Sequence, residues 1–147
     1  MAGFKLTKEH IINVFAPLAE TTNTNERERF FTDALVNDVT WTIAGSAHSL
    51  AGTRHSIESH ADATFKRLGN KLRAPIKFTV TRVIVDAEPD TDGWWATVET
   101  VGEATRKNGK PYNNQYVWLT RWNDEGKIAE VRSYFDTMLS EEVLRDE

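Results

Sequence analysis

The chain contains no cysteine, so disulfide staples, thiol catalysis and thiolate-bound metal are excluded, and a reducing compartment suits it. It also lacks an excess of positive charge. Its 18 Lys and Arg stand against 22 Asp and Glu, for a net charge of -4 and a pI near 5.6. Without a basic stripe, such a chain does not match a nucleic-acid binder. Long apolar runs are missing too: Lys5, Lys8, Glu9 and His10 interrupt the N-terminal MAGFKLTKEHIINVF, and no stretch approaches the roughly 20 residues needed to span a bilayer. A soluble, unprocessed, cytoplasmic protein with no membrane partner is expected. The four histidines are scattered, and none forms the carboxylate-backed i, i+4 pair of a zinc helix; there is no phosphate-cradling glycine loop either. Neither a metal nor a cofactor is expected.

Aromatic residues are abundant by contrast: 5 Trp, 3 Tyr and 7 Phe in 147 residues. That length suits one domain, 1–147, with a core large enough to need no staples. Helical spacing runs through Ile11, Ile12, Phe15 and Leu18 after Thr7 until Pro17, then through Glu26–Val36, then through Ser56–Leu68. A short alternating strand, VTWTIA, lies between the last two, followed by SAHSLAG as loop. From Ile76 the period becomes two, predicting strands over 76–85, 94–106, 112–122 and 127–136, with a short helix over 138–144.

Two turns set the expected register. Asn108-Gly109 suits a two-residue type I′ hairpin, and Asn123-Asp124-Glu125-Gly126 a type I turn closed by a glycine bulge. Asn114 then faces Glu103 on one side and Asp136 on the other, Tyr116 faces Val101 and Tyr134, and Trp118 faces Glu99 and Arg132. The opposite face would carry Val98, Val117, Leu119, Val131 and Phe135, too apolar to leave in water. A homodimer through that face is the expectation.

Three helices around one short strand, then a long sheet ending in "NGKPYNNQYVWLTRWNDEGKIAEVRSYFD", resemble the SnoaL-like polyketide cyclases and isomerases of the NTF2-like superfamily, with similarity to limonene-epoxide hydrolases in the last strand. The resemblance implies an α+β cone: a curved antiparallel sheet packed on three N-terminal helices, with a short C-terminal helix. It implies an apolar cavity into which the aspartate ending the last strand points as a general base. Here that residue is Asp136. The positions that serve ketosteroid isomerases fall on Trp41 or Thr42, Phe15 and Trp118, so steroid isomerisation by that constellation is not expected. The water-holding pair of the epoxide hydrolases is replaced by Trp41-Thr42-Ile43.

The candidate catalytic residues are therefore Asp136, Glu99 and His48. The candidate substrate-binding residues are Trp41, His60, Asn114, Tyr116, Trp118, Arg132 and Tyr134. Each has a plainer reading. Asp136 suits the N-cap of the final helix, Arg132 an ion pair with Glu99 across Trp118, the tyrosines core phenols, and His48 and His60 satisfied structural imidazoles. The expected function is a cofactor-independent isomerase or cyclase acting by acid/base proton transfer on a ring-containing polyketide or terpenoid. The alternatives are a non-catalytic ligand-binding module of the same fold and an epoxide hydrolase.

Overall fold

A computed structural model describes residues 3–147. Helix α1 (Lys8–Phe15) begins at Thr7, whose hydroxyl accepts the His10 amide at 3.1 Å, satisfying one of the donors that a helix start leaves free. Pro17 has no N–H to continue the ladder, and the chain tightens into a 3₁₀ turn over Ala16–Ala19. Asn23 caps α2 (Thr24–Asp33) in the same manner. This helix stops short of Val36 because β1 (Leu35–Ile43) begins there, with the Ile128 amide donating to the Ala34 carbonyl at 2.8 Å. An edge strand, β2 (Gly52–Arg54), starts at the last residue of the segment read as loop and is too short to show a period of its own.

The third expected helix is broken at Thr64 into α3 (Ile57–Ala63) and α4 (Phe65–Gly69). The Thr64 amide and hydroxyl both donate to the His60 carbonyl, at 3.0 and 2.8 Å, and such back-bonding bends a helix. Then follow β3 (Lys77–Val85), β4 (Trp94–Thr105), β5 (Pro111–Trp122), β6 (Ile128–Phe135) and α5 (Thr137–Leu144).

The six strands form one sheet in the order β2-β1-β6-β5-β4-β3. It is antiparallel, as expected, except that β1 runs parallel to β6. No hairpin joins those two strands, so no turn dictates their direction. The inner face buries Val98, Trp118, Trp122 and Val131 with Phe15 and Leu18 of the helical layer.

The register differs from expectation at both turns. Type I′ needs positive φ at both central residues, yet among the described residues only glycines have it, Gly109 (φ 89) included and Asn108 not. Arg106 instead pairs with Lys110, and a three-residue loop carries the glycine bulge. The second turn closes as expected, with Asn123 against Lys127 and Gly126 at φ 75. A bulge at Ala129 then moves the pairing by one, so Trp122 faces Ile128 but Arg121 faces Glu130.

Each one-residue slip turns a strand over. Trp118 therefore faces Val98 and Ser133, not Glu99 and Arg132. The face expected at a dimer interface is divided: Val131 is fully buried and Phe135 lies inside, while Val117 and Leu119 lie outside with Glu99, Arg132 and Tyr134.

Candidate functional site

Inside the cone, β1 and α3 hold Trp41 and His60 face to face, with ring centroids 3.9 Å apart and planes 11° from parallel. Trp41 donates its indole N–H to Ser133 Oγ at 3.0 Å. Helical spacing sets Thr64 one turn beyond His60, and His60 Nε2 lies 3.2 Å from Thr64 Oγ1. The Thr64 hydroxyl has one proton and gives it to the His60 carbonyl. Nε2 must then be the donor, which leaves Nδ1 as a bare lone pair. That Nδ1 is buried without a hydrogen-bond partner among the described residues. Burial, with Arg54 nearby as the smaller cause, pushes the His60 pKa from 6.5 down to about 3. The ring is neutral at physiological pH, and its Nδ1 is a hydrogen-bond acceptor.

A second polar group crosses the cone on the inner face of β5. Tyr116 donates to the Tyr112 hydroxyl at 3.3 Å, which lies 2.6 Å from Ser140 Oγ, and Ser140 donates to the Asp136 carbonyl at 3.4 Å. Asn114 braces this chain, its Nδ2 3.1 Å from the Asp136 carbonyl and its Oδ1 accepting the Asp136 amide at 3.3 Å. Burial first, then the neighbouring Tyr112, raises the Tyr116 pKa well above its usual value. Tyr116 remains a phenol and a proton donor.

His60, Thr64, Tyr112, Tyr116 and Ser133 all line one cavity with Trp41, Trp118 and Phe135. Its water-accessible space is about 30 Å³, room for about one water. Removing a proton beside a carbonyl takes a base and a donor to the resulting oxyanion; the imidazole and the phenol are groups of those types on this wall, and the imidazole gains basicity only as negative charge develops on a bound oxygen beside it. Among the described residues no group of three or more His, Asp or Glu converges as metal ligands would.

The structure thus gathers Trp41, His60, Asn114, Tyr116 and Trp118, of the sequence candidates, inside the cone. Asp136 is elsewhere. Its carboxylate is exposed and accepts the Leu139 amide at 3.1 Å as N-cap of α5, because the strand ends one residue earlier and only its main chain turns inward to Asn114. His48 shares an open groove of about 790 Å³ with it, with Nε2 2.8 Å from the Ala44 carbonyl and Nδ1 buried and unpartnered. Glu99, Arg132 and Tyr134 are exposed on the outer face, placed there by the two register slips. Glu99 accepts from Thr81 at 2.9 Å, Arg132 lies 3.6 Å from Glu130, and no Glu99–Arg132 pair forms.

Tyr112, Thr64, Ser133 and Ser140 are the residues that sequence reasoning missed. Tyr112 was within reach, since the alternation Tyr112, Asn114, Tyr116, Trp118 marks one face, and Thr64 stands one helical turn from His60. The sequence carries no sign that Ser140 meets Tyr112.

A cone of helices on a bent six-stranded sheet, with polar groups buried at its axis, is the NTF2-like fold. Comparison with solved structures agrees. An NTF2-like protein of unknown function from Burkholderia pseudomallei superposes with a TM-score of 0.66 at 18% identity, covering 95% of this chain and 100% of that one. TerC, co-crystallised with polyporic acid, gives 0.65 at 19%, covering 94% and 97%. In sequence, the chain is 29% identical over 108 residues to the dimerizing cyclase phiC of a fungal species, 67% of this chain and 42% of that protein. It is 28% identical over 98 residues to the dimerizing cyclase tstC of Talaromyces stipitatus, 60% and 38% of the two chains. The chain therefore spans about two fifths of the length of these relatives. No protein-family model matches it. The chain has the NTF2-like fold.

Proposed function

We propose that the chain is a cyclase or isomerase that moves a proton on a ring-containing polyketide or terpenoid inside the cone, with His60 as the base. The observation that carries this reading is the unpartnered, buried Nδ1 lone pair of His60, on a residue that lines the same cavity as Tyr116. A proton leaves the carbon next to a carbonyl for Nδ1, and the electron pair moves to the carbonyl oxygen, to which Tyr116 donates on turning its hydroxyl away from Tyr112. In an isomerisation the imidazolium returns the proton to another carbon. In a cyclisation the enolate carbon bonds to a second carbonyl carbon, whose oxygen takes the proton. A base, a donor aimed at the oxygen and a water-poor site suffice for either. The cyclase names of the sequence relatives support this class, as does the co-crystallised organic acid of TerC.

A second reading keeps Asp136 as the base, in the open groove that brings it beside His48. A third, a non-catalytic binding module, draws on the small volume of the inner cavity. One experiment separates them. The protein is incubated with 1-tetralone in D₂O and α-deuteration is followed by mass spectrometry. Exchange above buffer that falls by roughly 10²–10⁴ in His60→Gln and persists in Asp136→Asn fits the His60 reading. Loss in Asp136→Asn alone supports the second reading, and no exchange despite binding supports the third.

Homodimerisation is also proposed, now through the outer face, where Ile84 is 58% exposed near Val117 and Leu119. Sedimentation should show a dimer that Leu119→Arg converts to monomer. A wild-type monomer would end this proposal.

A further inference from the structure

The cone has one flank where positive charge gathers, although the chain as a whole is acidic. A groove of about 410 Å³ runs between α2 and the α4–β3 connection, with Arg27 and Arg73 on its walls. Phe65, Leu68 and Ile76 line both this groove and the inner cavity, so those side chains form a wall between the groove and the space that holds the Trp41–His60 stack. Phe65 is the half-buried member. It meets His60, Phe31 and Trp41 edge-on at centroid distances of 5.3, 5.6 and 5.9 Å. Its helix, α4, has five residues and follows the break at Thr64.

The two arginines have carbonyl partners only. Arg27 Nη1 donates to the Leu18 and Glu20 carbonyls at 2.9 and 3.0 Å, and Arg73 Nη2 reaches the Lys107 carbonyl at 3.5 Å. Among the described residues neither has a carboxylate within 4.0 Å, in contrast to Arg29, Arg106 and Arg121. Glu28 is the one acid on the groove wall and forms no ion pair with either. Burial pulls the Arg27 pKa down and the charge of Glu28 offsets it only in part, so the guanidinium would gain from a further anion. A guanidinium presents a planar fork that matches a carboxylate.

We propose that this groove is the entrance to the cone and that it selects planar aromatic carboxylates, holding the acid group between Arg27 and Arg73 while the ring displaces Phe65 and enters against Trp41 and His60. The inference rests on the proposed reading for its choice of cavity and specifies the class of substrate. The phenyl ring of Phe65 occupies the position an incoming ring would take, so exchanging one aromatic edge for another against Trp41 conserves the contact. The acid remains at the solvent side, where its desolvation cost is small.

The test is binding of 2-naphthoate and of its neutral methyl ester, followed by tryptophan fluorescence and calorimetry. The wild type should bind the acid at least tenfold more tightly than the ester, and the preference should weaken as salt is raised. Arg73→Glu should abolish the preference while leaving ester binding in place; Arg73 is exposed and its substitution spares the fold. Arg27→Met should do the same, with its circular dichroism and melting checked because Arg27 also ties down two carbonyls. Equal affinity for acid and ester, an unchanged preference in Arg73→Glu, or binding of neither probe would overturn the proposal. Because binding is read without turnover, a failure of tetralone exchange bears on the catalytic reading alone, and a failure of acid selection on this one alone.

Discussion

The two faces of strand β5 carry similar residue types and use them differently. On the inner face each polar side-chain group has a designated partner: Trp118 Nε1 donates to Thr100 at 3.0 Å, Trp122 Nε1 to Thr120 at 2.7 Å, and Thr120 to the Ala96 carbonyl at 2.9 Å. On the outer face Glu99, Arg132 and Tyr134 are exposed, and Arg132 has only a loose pair with Glu130 at 3.6 Å. A buried polar group without a partner costs about 1–3 kcal/mol, so such groups are exceptions in the core. His60 Nδ1 is such an exception. Outside, the same chemistry carries little consequence.

The largest expected effect is on the inner face. Trp118 is surrounded by Phe15, Trp41 and Phe78 at centroid distances of 5.3, 5.6 and 5.4 Å. Trp118→Ala should cost about 3–5 kcal/mol in urea denaturation. Tyr134→Ala, across the same sheet and 44% exposed, should change stability by about 0.5 kcal/mol or less. Similar losses for the two would erase the distinction between the faces.

His60 provides the next test, in the form of a pH profile. In the folded chain it stays neutral down to about pH 3, while the unfolded chain takes up a proton near 6.5. The unfolded state thus binds more protons inside that window. Stability should be complete above pH 6.5 and fall by about 1.4 kcal/mol for each unit below it, until pH 3 is approached. His60→Phe should remove that slope. A wild-type profile that is flat between pH 6.5 and 4.5 would place water or a counter-charge at Nδ1.

How much of this was legible in the sequence depended on the range of the interaction that decides each feature. Helix starts at Thr7 and Asn23 are local, and the sequence displays them. The alternation of β5 is local too, and it correctly groups Asn114, Tyr116 and Trp118. The hairpin loop is not. Arg106, which sets its length, is anchored by Glu142 and Asp146 at the far end of the chain and by a bridge to Leu72, partners that the Asn108-Gly109 signal does not reveal. The bulge at Ala129 likewise has no marker, since alanine neither requires nor forbids it. Two such slips suffice to move Glu99 and Arg132 from the cavity wall to the outside while leaving β3 to β6 close to where they were expected.

Asp136 stands between the two faces, with its main chain held inside by Asn114 and its carboxylate outside. As an N-cap it should contribute about 0.5–2 kcal/mol, lost in Asp136→Ala and largely retained in Asp136→Asn, since asparagine caps as well. Thermal melts of the two variants check this. Equal losses for Ala and Asn would show that charge, and not the capping oxygen, matters there.

The smallest effect belongs to Arg132. Its guanidinium lies 3.6 Å from Glu130, and its side chain is 44% exposed. Pairs of that kind contribute about 0–1 kcal/mol because solvent screens them and ordering a long side chain has an entropic cost. Glu130 also has Arg121 at 3.4 Å, so removing Arg132 strands no charge. Arg132→Gln should accordingly cost about 0.5 kcal/mol or less. The sharper measurement is a double-mutant cycle with Glu99→Gln, because the two hairpin registers that the sequence suggests would make those residues partners. In the observed register Glu99 faces Val117 and Arg132 faces Leu119, two positions apart along β5 and on separate strands flanking it. Their coupling should lie within about 0.3–0.5 kcal/mol of zero, the scatter expected of independent sites. A coupling above about 1 kcal/mol would mean that the strands pair in solution as the turn residues alone suggest, and Trp118 would then share its face with charge.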